Sequence, residues 1–150
     1  MAKATQQLEL LFKIESDKER SFANDLQSAQ SFFQVNQNKL QEVESYKLEY
    51  LKKLQNMGKS GLNGNNYQHY QRFIVQLEEG ILAQVQAVET ARQVVEQRRG
   101  IWLEQRAKVK AVETLLTKKQ QQIQQRQDKQ EQLIADEFAS QKYIRDRLLA

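Results

Sequence analysis

The 150-residue sequence has no cysteine, no proline, one histidine, one tryptophan and no long apolar run. Without cysteine there are no disulfides, no thiolate metal ligands and no thiol nucleophile, which fits a reducing compartment. Without a stretch of roughly 20 apolar residues, nothing reads as a membrane span. The first residues, Met-Ala-Lys-Ala-Thr, carry neither an apolar leader core nor a myristoylation glycine, so a soluble, cytoplasmic protein is expected. His69 stands among tyrosines with no ordered set of carboxylates beside it, and the remaining acids, such as Glu42, Glu44, Glu78 and Glu79, read as solvated helix faces. No enzyme chemistry, cofactor or metal site is expected from such a set.

What the sequence does have is periodicity. At 39% hydrophobic and 28% charged residues it is too polar for a thick globular core, and its apolar residues recur too regularly for disorder. Steps of four and three run through Leu8, Phe12, Glu15, Glu19, Phe22, Leu26, Ala29, Phe33, Asn36, Leu40, Val43, Lys47, Tyr50, Leu54 and Met57, and eleven of these fifteen positions are apolar. A seam this narrow over about seven heptads predicts a coiled-coil helix. A second seam reads Tyr70, Ile74, Leu77, Ile81, Val85, Val88, Arg92, Val95, Arg99, Trp102, Arg106, Val109, Glu113 and Leu116. Its extra four-residue step from Ile81 to Val85 predicts a stutter, and half of its later positions are charged.

Between the seams lies GKSGLNGNN, residues 58–66. Gly58 is expected to close the first helix in a left-handed conformation, Gly61 and Gly64 to keep the link flexible, and Asn65 or Asn66 to cap the second helix. The Gly58-Lys59-Ser60 triplet is not a phosphate-binding loop: the position for the first glycine of that motif holds Lys53, and the segment follows a helix instead of a strand. The fold expected is all-α, a single elongated domain over residues 1–150 forming a long two-helix antiparallel coiled coil, with helix 1 over about 4–57, a link over about 58–66 and helix 2 over about 67–148.

Antiparallel pairing about this link makes partner numbers sum to roughly 123, within about a turn. Arg106 then falls between Glu15 and Glu19, and Asp25 near Arg99, as matched seam charges or as solvated charges of a loose hairpin. Tyr46 falls beside Leu77 and Tyr50 beside Phe73, an aromatic patch that either serves a partner or seals the end of the coiled coil. Beyond about Leu116 helix 2 outruns its partner, so a carboxy-terminal segment projects past the first helix. Residues 117–132 hold eight glutamines and one apolar residue, Ile123; apolar character returns at Leu133, Ile134, Phe138, Tyr143, Ile144, Leu148 and Leu149. The overhang reads as an exposed single helix or a frayed tail. Residues 92–129 carry ten Lys or Arg against four acids, which favours an acidic partner; with no recognition module visible, nucleic acid is not expected.

Three stretches, SYKLEYLKKL at 45–54, NYQHYQRFIVQLEEGI at 66–81 and DEFA at 136–139, together with the glycine and asparagine link between the first two, make the chain resemble the FliJ-type proteins of the bacterial flagellar type III export apparatus over most of its length. The resemblance implies a non-catalytic stalk similar to the central stalk of rotary ATPases, an antiparallel two-helix coiled coil that enters and stimulates a hexameric export ATPase. It also implies contact with the cytoplasmic domain of the export gate, escort of export chaperones, and a peripheral place at the inner-membrane export apparatus. Gate contact is implied at Tyr46, Tyr50, Phe73 and Leu77, with Val43 their neighbour. The ATPase-facing end would be the projecting helix with the amino-terminal tip, through Lys118, Lys119, Arg126, Lys129, Phe138 and Leu148. The free protein is expected to be a monomer. The alternatives are an injectisome-type export stalk and a self-associating coiled-coil scaffold without an ATPase partner.

Overall fold

The computed structural model describes residues 2–59 and 64–149, and all of them are helical. Helix α1 runs Ala2–Lys59, 58 residues, and α2 runs Gly64–Leu149, 86 residues. Helices of this length are stabilised by the apolar seam each presents to the other more than by local propensity.

The contacts divide into two units. In one, α1 from Arg20 onward packs with α2 up to Leu103; in the other, α1 up to Glu19 packs with α2 from Glu104 onward. Within each unit the two helices pair antiparallel as a coiled coil. In the first, Asn36 meets Gln84 and Tyr50 meets Tyr70 and Phe73. In the second, Glu15 meets Gln105. This register lies within a helical turn of the one expected.

Every position of the first predicted seam, from Leu8 to Met57, is buried or half-buried. The second seam differs. Its inward residues follow Ile81 with Gln84, Val88, Ala91 and Val95 and then, past an exposed Arg98, with Trp102, Gln105, Val109, Val112 and Leu116, so the heptad phase holds with no stutter. Val85, Arg92, Arg99, Arg106 and Glu113 are exposed. The reason is Gln84, which hydrogen-bonds to the Asn36 backbone carbonyl at 3.0 Å and to its side-chain oxygen at 3.1 Å, so a polar residue holds the place given to Val85.

The matched charges also change. Glu15 accepts a cross-helix bond from Gln105, and Arg99 pairs with Glu96 of its own helix at 3.3 Å instead of with Asp25. At the link, Gly58 keeps helical backbone inside α1, and α2 already begins at Gly64, so Asn65 and Asn66 occupy its first turn instead of preceding it. Good helix formers before Gly58 carry the helix through a residue that costs only about 0.5–1 kcal/mol. Residues 60–63, including Gly61 of the expected link, lie outside the described residues.

Within the second unit, α2 outruns α1. Ile123 is the last half-buried residue, and every described residue beyond it is exposed. This is the projecting carboxy-terminal segment, helical throughout.

Candidate functional site

Heptad spacing on α1 turns Tyr50 into the seam and leaves Tyr46, four residues earlier and one turn away, at its flank. On α2 the same logic turns Tyr70, Ile74 and Leu77 inward and leaves Phe73 at the flank. The flanking residues of antiparallel helices face each other, and four rings meet: Tyr46 and Tyr50 lie 5.0 Å apart edge to face, Tyr50 and Phe73 4.6 Å, Tyr50 and Tyr70 5.9 Å, and Tyr46 and Phe73 6.3 Å. Separations and tilts of this kind are the favourable arrangements of ring quadrupoles.

The cluster is amphipathic. Tyr46 remains 45% exposed, whereas Tyr50, Phe73 and Tyr70 are half-buried. The Tyr46 hydroxyl reaches the Tyr50 hydroxyl at 3.5 Å; that neighbour, and then burial, push the Tyr50 phenol above its ordinary value, so it stays uncharged at physiological pH. Lys53 places its ammonium 5.5 Å from the Tyr50 ring centroid, a cation–π geometry, and Lys47 bridges to Glu78 across the helices at 3.2 Å. Val43 and Leu77 are both half-buried on facing seams, and the register makes them level with each other. The structure thus brings Tyr46, Tyr50 and Phe73 into one cluster, with Val43 and Leu77 in the seam beneath. Tyr70, read from the sequence as a seam position and not as part of the patch, and Lys53 also join it; the three-residue step from Tyr70 to Phe73 was the available signal for the former.

The second set of candidates lies on α2 alone. At about 100° per residue, Lys118, Lys119, Arg126 and Lys129 fall within roughly 100° of one another on one face. Lys119 is half-buried there, and the others are exposed. Phe138 and Leu148 lie farther along, 67% and 82% exposed, and are not gathered with the basic residues into a pocket. Nearby in the same unit, Gln105 donates to the Glu15 backbone carbonyl and carboxylate. That bond, the largest influence, holds the Glu15 carboxyl below its ordinary value against burial, the next largest, with smaller help from Lys18 and Lys108.

Among the described residues there is no group of three or more side chains placed to hold a metal ion, and no helix is long and apolar enough to cross a membrane. A family model described as "Flagellar FliJ protein" matches residues 4–148. No curated protein and no solved structure matches the chain.

Proposed function

Because the chain belongs to the FliJ family and is therefore a component of the flagellar export apparatus, we propose that it is a non-catalytic stalk and adaptor, which binds and stimulates the hexameric export ATPase and links it to the cytoplasmic domain of the export gate. The family match across essentially the whole chain carries this reading. Residues Tyr46, Tyr50 and Phe73, with Val43 and Leu77, form the gate-binding surface: Tyr46 offers an exposed ring backed by a half-buried aromatic layer, so a partner gains a rigid anchor at little entropic cost. The carboxy-terminal end of α2 with the amino-terminal tip of α1 faces the ATPase, using Lys118, Lys119, Arg126, Lys129, Phe138 and Leu148. A polar helix with scattered basic and apolar residues suits a ring lumen that must be engaged without a tight interface. Export chaperones are further partners, and the protein works in the cytoplasm, peripheral to the inner membrane.

The gate assignment is tested by combining Tyr46→Ala with Phe73→Ala. Loss of two clustered aromatic anchors weakens gate binding by at least about tenfold, with helicity and ATPase binding nearly unchanged. Unaltered gate affinity in the folded double variant rejects the assignment.

A further inference from the structure

The exposed end of α2 has an internal symmetry that the stalk reading does not use. On the face centred on Gln141 its large apolar residues are Leu133, Ile134 and Phe138 before that residue and Ile144, Leu148 and Leu149 after it, each at least 55% exposed, while Tyr143, 64% exposed, lies about 160° away on the opposite face. The two sets are mirror images in spacing: Leu133 answers to Leu149, Ile134 to Leu148, and Phe138 to Ile144. The two charges that share this face between Leu133 and Leu149 follow the same mirror with opposite signs, Glu137 answering to Arg145, whereas Lys142, beside the centre, points about 100° away from it. At roughly 100° per residue, the six mirrored apolar side chains, Glu137 and Arg145 all lie within about 80° of the direction of Gln141, so they form one stripe centred on it. Asp136 and Asp146, a mirror pair of like sign, lie about 140° from that direction, on the far side of the helix.

A stripe with this pattern is self-complementary under a two-fold axis. We propose that the carboxy-terminal segments of two copies pair antiparallel, with the axis at Gln141. Each Phe138 then covers the other copy's Ile144, each Ile134 the other's Leu148, and each Glu137 meets the other's Arg145. A parallel pair would set Glu137 against Glu137 and Arg145 against Arg145, so charge selects the antiparallel form. Among the described residues neither Glu137 nor Arg145 makes an ion pair within its own chain. The interface is isologous and closed, so it yields a dimer and not a filament. It spans about 25 Å of helix, at the low end of specific interfaces, which makes pairing concentration-dependent. The seams of Leu8–Met57 and Tyr70–Ile123 stay within each chain, so this dimer is distinct from one made by exchanging long helices. It replaces the strictly single-copy state expected from the sequence, and it covers Phe138 and Leu148 in the free protein, the residues assigned above to the ATPase.

The chain holds no cysteine, so Gln141→Cys in the full chain reports the axis directly. Mild oxidation of this variant alone, with no ATPase present, gives a disulfide-linked dimer. Adding Glu137→Arg places like charges together and lowers the yield by roughly tenfold or more, and adding Arg145→Glu to that variant restores it. Circular dichroism confirms that helicity is unchanged in all three. Absence of the cross-linked dimer overturns the proposal. So does a dimer whose yield ignores the charge reversal or is not rescued by the swap.

Discussion

The bond between Asn36 and Gln84 ties the two helices together where an apolar seam would have put two hydrophobic side chains, and its energetic weight can be worked from its geometry. Asn36 is only 7% exposed. Its side-chain oxygen accepts one bond from Gln84, its backbone carbonyl accepts a second, and its own amide donates to the Phe32 carbonyl at 2.9 Å. A net intramolecular hydrogen bond contributes about 0.5–1.5 kcal/mol, so Gln84→Ala, which removes both cross-helix bonds, costs about 1–3 kcal/mol. Asn36→Ala removes only one of them, because the backbone carbonyl remains; the lost bond to Phe32 competes with the helix's own ladder and adds little. The coupling between the two side chains in a double-mutant cycle is therefore about 0.5–1.5 kcal/mol, less than the cost of the Gln84 variant alone. Urea unfolding followed by far-ultraviolet circular dichroism measures all four corners of the cycle. Additivity within about 0.3 kcal/mol would refute the pairing, and with it the uninterrupted heptad register of α2.

Two further outcomes follow from local geometry. A Cβ built on Gly80 meets nothing within 4 Å, so Gly80→Ala raises stability by about 0.5–1 kcal/mol in the same urea assay; a loss would show that the helix is packed there by something the isolated chain contains. The Glu15 carboxyl is held below its ordinary value in the folded chain, so its contribution is present above the ordinary carboxylate range and is lost as pH falls through the lowered value; Glu15→Gln flattens the acid limb of the stability–pH curve, and an unchanged limb would show that the Gln105 bond does not favour the charged form.

The first helix was legible residue by residue because its polar seam members, the adjacent pair Glu15 and Glu19 and the single Asn36 and Lys47, are each flanked by apolar seam residues that hold the phase. The second was legible on one of its two lines: Val88, Val95, Trp102, Val109 and Leu116 are inward as read. The other line slipped by one residue because an apolar Val85 stands beside a polar Gln84, and hydrophobicity alone favours the valine. The partner that reverses the choice, Asn36, lies 48 residues away, beyond any local pattern. The same slip hid the small Ala91 and the buried Gln105 and put Arg92 and Arg106 in their places. The aromatic cluster was visible in outline because ring residues flank both seams near the link, but the contacts of Tyr46 with Phe73 and of Tyr50 with Tyr70 required the register. At the link, glycine and asparagine chemistry suggested caps, whereas α1 runs on through Gly58 and α2 starts at Gly64, because continuing a long packed helix outweighs the small local penalty.

The central claim is that this export component acts on the ATPase through the projecting end of α2. It is tested most directly by the ATP hydrolysis rate of the cognate hexameric export ATPase, measured alone, with the full chain and with a chain ending at Leu116. The full chain should raise the rate, and the shortened chain, still helical by circular dichroism, should not. Equal stimulation by both chains, or none by the full chain, would contradict the account.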